Sequence, residues 1–260
     1  MIRYIMLTLM KGLGPVRQNL LLNACGGDME MLFSLSEDEL SGLMRTRTGA
    51  DCIRLFVSQR NNETLLKEAR VIEATSEKAG VIPVTREMEA YPHRFRGIRD
   101  MPVLLYTRGG LKINAYTGSI GVVGARRCTR EGRDTAAALV KKAVTERSAI
   151  ISGMAKGIDS YAHTAAIREG GYTIAVLGSG PDICYPKEHQ ALYDAIVSGG
   201  CILSEYPPGT QPRRYMFPRR NLLIAALSDE LYVIEAGRHS GTQSTVEGCM
   251  KYGHVVTTIV

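Results

Sequence analysis

A change of hydrophobic period near residue 80 constrains the fold of this 260-residue chain more than any other feature. Before it, apolar residues recur at three- and four-residue spacing, in 16–24, 37–44 and 64–79, and no strand pattern interrupts them. From Val81 onward, short apolar runs alternate with amphipathic segments. The runs at 81–85, 103–106, 120–123, 149–152, 173–177, 201–204, 231–235 and 254–260 predict strands. Helices are expected over 133–147, 160–169, 188–197, 221–227 and 245–252. The alternation predicts an α/β class: a Rossmann-like, mostly parallel sheet with helices on both faces and ligands at the carboxyl ends of its strands. We therefore expect a small all-helical domain over residues 1–79 and a Rossmann-like domain over residues 80–260. No repeat, low-complexity segment or long linker separates them.

The chemistry should lie at those strand ends. After the strand at 149–152 comes Ser152-Gly153-Met154-Ala155-Lys156-Gly157-Ile158-Asp159. Its two glycines let backbone amides approach a ligand, the following helix presents its positive amino end, and Lys156 adds a cation. That is a phosphate site in outline. Neighbouring strand ends supply Gly124-Ala125-Arg126-Arg127-Cys128-Thr129, Gly178-Ser179-Gly180-Pro181 and Ala236-Gly237-Arg238-His239-Ser240-Gly241-Thr242. Glycine, small hydroxyls and cations at four strand ends suit an extended anionic ligand. Simpler roles compete: glycine as turn punctuation, Asp159 and Thr129 as helix caps, and Arg127, Arg130 and Arg133 as a solvated helix face. His163, inside a helix, reads as a packed or surface residue.

The densest positive charge is Arg213-Arg214-Tyr215-Met216-Phe217-Pro218-Arg219-Arg220-Asn221. Aromatic rings among arginines suit stacking on bases while the backbone is held. Arginines at a helix amino end are unfavourable unless an anion faces them. In the amino-terminal region, Lys11-Gly12-Leu13-Gly14-Pro15 forms a G-x-G turn between helices. It resembles a helix-hairpin-helix turn and equally a plain tight turn.

Several functions are disfavoured. The dinucleotide fingerprint G-x-G-x-x-G fails: Gly121 and Gly124 are misspaced, and Pro181 follows Gly178-Ser179-Gly180. No G-x-x-x-x-G-K-[ST] motif supports an ATP-hydrolysing loop, so no cofactor is expected. The six cysteines contain no C-x-x-C pair, which points to reduced thiols and away from zinc. No apolar run approaches the roughly 20 residues of a membrane span, so the expected location is cytoplasmic. The formal charge of +6 favours a polyanionic partner.

Val123-Gly124-Ala125-Arg126, the Lys156 octapeptide, Ile174-Ala175-Val176-Leu177-Gly178, Leu203-Ser204-Glu205-Tyr206-Pro207-Pro208-Gly209, Phe217-Pro218-Arg219-Arg220-Asn221 and Ser240-Gly241-Thr242 occur in the order of one family. The chain resembles the DNA processing protein A (DprA/Smf) family, also through Tyr91-Pro92, Pro102-Val103-Leu104-Leu105-Tyr106 and the Gly12-Leu13-Gly14-Pro15 leader. The resemblance implies a non-enzymatic, homodimeric binder of single-stranded DNA in natural transformation. Such a protein protects incoming DNA, displaces single-strand-binding protein and loads RecA recombinase. It places the DNA contacts at Gly124, Arg126, Ser152, Gly153 and Lys156, with Gly178, Phe217, Arg219, Arg220 and Asn221 close by. Arg126 would grip a phosphate through its fork and Lys156 act as a point charge. Family members usually continue beyond the final strand, so this chain, ending at Val260, reads as shortened there. Gln243 also departs from the family's apolar residue. The alternative is a nucleoside-monophosphate phosphoribohydrolase of the lysine-decarboxylase-like group, with P-G-G-x-G-T-x-x-E. Here Glu247 follows Thr242 by five residues instead of three, which turns it to another helix face.

Overall fold

Local capping sets the helices of the amino-terminal region. Helices α1 (Ile2–Leu9), α2 (Pro15–Ala24), α3 (Met29–Ser34), α4 (Glu37–Leu43), α5 (Arg47–Val57) and α6 (Glu63–Lys78) precede strand β1 (Ile82–Thr85). Asp28 accepts from the amides of Glu30 and Met31, Ser36 and Glu39 form a capping box, and Asn62 accepts from Thr64 and Leu65. Each cap is worth about 1 kcal/mol. Ile5, Leu7, Leu21, Leu32, Leu40, Ile53 and Phe56 are buried together as the apolar faces turn inward. In the glycine turn, Arg17 donates to the Gly12 carbonyl (2.7 Å), while Gln59 accepts from the Lys11 amide (2.8 Å) and donates to its carbonyl (3.0 Å). That turn's polar groups are therefore engaged within the region.

The computed structural model describes residues 1–237 and 241–259. The chain divides into two units, Met1–Tyr91 with Arg96–Leu105, and Pro92–Phe95 with Tyr106–Val260. The division falls beyond the change of period because β1 belongs to the first unit, where the Arg86 amide donates to Val103 (3.0 Å).

The second unit alternates strands and helices: β2 (Leu104–Gly109), β3 (Gly118–Gly124), α7 (Arg130–Thr145), β4 (Ser148–Ser152), α8 (Ile158–Arg168), β5 (Thr173–Val176), α9 (Gln190–Gly199), β6 (Cys201–Ser204), α10 (Met216–Leu227), β7 (Glu230–Ile234), α11 (Gln243–Tyr252) and β8 (Val255–Ile259). The strands lie in the order β2-β6-β5-β4-β3-β7-β8. Only the β2–β6 pairing is antiparallel. Helix α7 packs on α8 and α8 on α9, whereas α10 packs on α11. Alternation along β3 explains the two layers. Ile120 and Val122 are buried with Val140, Ala162 and Ala166 of α7 and α8. The intervening Gly121 abuts Ser228 and Leu231, where a Cβ would collide. The helix starts of this unit fall two to five residues from those expected, with the largest difference at α10, which begins at Met216 and not at residue 221, because Pro218 falls in its first turn, where a missing N–H costs little.

Arg94 clamps Asp229 ahead of β7 through Nε to Oδ1 (2.9 Å) and Nη2 to Oδ2 (2.6 Å), and the Ser119 amide donates to the same Oδ2 (2.8 Å). Burial acts to raise the Asp229 carboxyl, but Arg94 and the Ser119 bonds outweigh it and hold the group below the usual range. A carboxylate depressed in the fold stabilises above its unfolded pKa, and that contribution is lost as pH falls through the folded value. Asp229→Asn should cost about 1 kcal/mol at neutral pH, a value limited by the half-exposed carboxylate. Urea unfolding of both proteins should show the gap closing below about pH 4.

Among the described residues no helix is long and apolar enough to cross a membrane. The six cysteines are unpaired.

Candidate functional site

The carboxyl ends of β3, β4 and β5 open into a pocket lined by Arg126, Gly153, Lys156, Gly178, Phe217 and Arg220, with Ala155, Leu177, Ser179, Tyr185 and Pro186. Its volume is about 80 Å³. At roughly 10–15 Å³ per enclosed water, this accommodates a phosphate or part of a base and is small for a dinucleotide. Gly124, Ser152, Arg219 and Asn221 lie outside the lining and support it.

The loop between β4 and α8 is shaped from within. Buried Asp159 accepts from the amides of Gly153 (3.1 Å) and Ala155 (3.4 Å) through Oδ2. The Gly153 amide is thus occupied by a carboxylate and does not cradle a ligand as the glycine spacing led us to expect. Nor does Asp159 act merely as a helix cap. Gly157 has φ of 80°, and a Cβ there would strike the carbonyls of Ala125 and Arg126. A Cβ at Gly124 would strike the Ile234 carbonyl and Ile158. These glycines are required for close approach between loops of the protein itself. The Ser152 hydroxyl donates to Val122 (2.6 Å), tying β4 to β3.

Arg220 is the hub of this end of the sheet. It is buried, with Nη1 donating to the carbonyls of Gly153 (2.5 Å) and Val176 (2.7 Å) and Nε donating to Asn221 Oδ1 (2.9 Å). Its guanidinium also lies 5.7 Å from the Phe217 ring centroid. Burial pushes Arg220 down and Asp159 up, and each is opposed by the other's charge. Beside it, Arg219 Nε donates to Glu205 Oε1 (3.1 Å) and Oε2 (2.9 Å). The anions that arginines near a helix start require are therefore internal, Asp159 and Glu205, so their position does not by itself call for an external one. Asn221 donates to the Gly241 carbonyl (2.9 Å) and Ser244 Oγ (2.8 Å), holding α10 to the start of α11.

What remains on the surface is two cations and two rings. Arg126 is exposed, and the Lys156 side chain is 60% exposed and ion-paired with Glu188. Across the pocket, the rings of Tyr185 and Phe217 meet at 5.8 Å with a tilt of 41°. Sequence reasoning did not single out Tyr185, although an aromatic-proline step after a glycine-rich strand end was a visible signal. Gly178 needs no side chain because a Cβ would press on Phe217 at 3.2 Å. Ser179 is buried, its hydroxyl bonded to Gly180 (3.3 Å). His163 is buried against Thr173 Oγ1 (2.7 Å), and burial drives it down to about 3, so it is neutral. Arg238, His239 and Ser240 lie outside the described residues. Glu247 accepts from Gln243 (3.1 Å) and lines a neighbouring depression with Phe217, which also lines the pocket, and with Asn221, Gly241 and Ser244. Among the described residues, no group of three or more metal-ligating side chains occurs.

The fold is thus a Rossmann-like sheet that gathers exposed cations and aromatic rings at its strand ends, without a dinucleotide loop. Residues 83–260 match the DNA recombination-mediator protein A family model. The chain belongs to that family. It is 41% identical over 171 residues to DNA processing protein DprA of Streptococcus pneumoniae, covering 66% of this chain and 60% of the relative. It is 35% identical over 262 residues to Protein Smf of Synechocystis, covering 96% and 62%. The chain thus spans about three fifths of the length of these relatives. Among solved structures it is similar to DprA from S. pneumoniae, with a TM-score of 0.75, 30% identity and coverage of 99% of this chain and 86% of that one. It is also similar to DNA processing protein A from Helicobacter pylori, described for its single-stranded DNA binding mode (TM-score 0.63, 28% identity, 69% and 81% coverage). The family and the mostly parallel sheet agree with the sequence motifs.

Proposed function

We propose that this chain is a single-stranded DNA-binding, non-enzymatic DNA-processing protein of natural transformation. In this reading it acts in the cytoplasm as a homodimer, protects incoming DNA, displaces single-strand-binding protein and loads RecA recombinase. The observation that carries the reading is the pairing of exposed Arg126 and Lys156 with the Phe217–Tyr185 rings around one pocket. Cations hold phosphates of any sequence, and rings stack on bases only when these are free of a duplex. Arg126 and Lys156 make the phosphate contacts and Phe217 the stacking contact. Gly124, Ser152, Gly153, Gly178, Arg219, Arg220 and Asn221 keep the pocket in shape. The Rossmann-like second unit carries the DNA, and the helical amino-terminal residues with β1 form the other unit. Family membership and the H. pylori relative support the DNA ligand.

Polarisation titrations with labelled single strands, duplex and nucleoside monophosphates, alongside an assay for free base, test this reading. Single strands should bind most tightly, with affinity falling steeply as salt rises. The hydrolase alternative needs a carboxylate in the pocket, whose lining among the described residues holds none, and Glu247 lines the neighbouring depression with Pro218 and Asn221. Base release without strand binding would establish the hydrolase instead.

Glu188 is ion-paired with Lys156, so a phosphate arriving at Lys156 competes with it. Glu188→Gln should therefore tighten strand binding a few-fold at low salt, and the gain should vanish at high salt as exposed charges are screened. Equal affinities at low salt would show that the pair does not compete with DNA.

A further inference from the structure

Beyond the pocket, the amino ends of α7 and α8 carry a second pairing of ring and cation. The Arg133 guanidinium lies 5.5 Å from the Tyr161 ring centroid, and its Nη1 reaches the Tyr161 hydroxyl at 3.4 Å. Arg133 Nε also donates to the Thr129 carbonyl (3.3 Å), which fixes the guanidinium from the other side. Tyr161 nevertheless stays 38% exposed.

This pair adjoins the pocket. The Tyr161 amide donates to the Gly157 carbonyl (3.1 Å), placing the ring one helical turn beyond Lys156, and Gly157 abuts the carbonyls of Ala125 and Arg126. Arg127 follows Arg126 in the chain, Arg130 opens α7, and both are exposed. Against Arg126, Arg127, Arg130 and Arg133 stand the carboxylates of Glu131, of Asp134, the latter 3.8 Å from Arg130, and of Glu235, so four cations meet three anions. Glu235 is engaged with Thr129. An arginine held beside a partly open ring presents a planar cationic and aromatic surface of the kind on which an unpaired base stacks.

We propose that Tyr161 and Arg133 form a second stacking platform, onto which a single strand leaving the pocket past Lys156 lays a further base, with Arg127 and Arg130 following its backbone. The platform rests on the reading that the pocket holds single-stranded DNA. It extends the track from one site to two.

The chain has no tryptophan, so Tyr161→Trp places a single tryptophan on the platform, whose indole can be excited apart from the tyrosines. Its emission should be quenched by an oligothymidylate of about ten nucleotides and not by one of about three, which fills the pocket alone. Tyr161→Ala should weaken the longer strand about tenfold, the loss of one stacked base, and leave the shorter unchanged. Tyr161→Phe, which keeps the ring and loses the hydroxyl, should bind like the parent. If the labelled ten-mer binds the Tyr161→Trp protein without a change in emission, or Tyr161→Ala binds it at parental affinity, the platform is overturned while DNA binding at the pocket stands. If the unmodified protein binds neither strand, the DNA reading fails and the platform with it.

Discussion

Replacing Arg220 by alanine is expected to destabilise the protein by about 3–5 kcal/mol, the usual cost of removing one side of a buried charge pair. The truncation leaves the carbonyls of Gly153 and Val176 without this donor and Asp159 without its compensating cation. Urea unfolding measures the loss, and Arg220→Lys should recover part of it, since an ammonium restores charge but not the planar fork. The pH dependence is a second check. Burial raises the Asp159 carboxyl, and without Arg220 it rises further. A carboxyl raised in the fold is stabilising when protonated, and this contribution is lost as pH rises through its folded value. The cost of Arg220→Ala should thus be smaller at acid pH than at neutrality. A loss under about 1 kcal/mol at neutral pH would mean that the guanidinium does not hold this end of the sheet.

Removing both Arg126 and Lys156 is expected to weaken single-strand binding about 100-fold while leaving stability nearly unchanged, because the lost charge-assisted bonds are to the ligand. The double variant Arg126→Ala, Lys156→Ala should lose affinity for all sequences alike. Its plot of log affinity against log salt should flatten by about 1.4, roughly 0.7 for each single-strand phosphate released. Polarisation titrations across a salt series give both values. An unchanged slope would remove this pocket from the DNA path.

The fold was largely legible from the chain because the alternation after Val81 is regular and each run is bounded by glycine or a cap. Helix α5 was harder to see, since Arg47, Thr48 and Gly49 open it and its buried apolar residues, Cys52, Ile53 and Phe56, come only in its second half. Proline at 218 obscured the start of α10 for a similar reason: Pro breaks a helix in the interior yet is tolerated in the first turn. At the site, exposed Arg126 and Lys156 were readable as cations at strand ends. The internal bonds of Arg219 and Arg220 were not readable, because an arginine's type does not reveal whether water or a carboxylate faces it. Their partners Glu205 and Asp159 lie 14 and 61 residues away, a pairing that only the tertiary fold creates.

The internal carboxylate that shapes the β4–α8 loop also has a kinetic consequence. With the Gly153 and Ala155 amides already bonded to Asp159 and Gly157 seated on the carbonyls of the adjacent loop, this loop has little backbone left to order on binding a strand. Encounter, steered by charge, then sets the association rate, and differences in affinity among ligands fall mainly on how fast they leave.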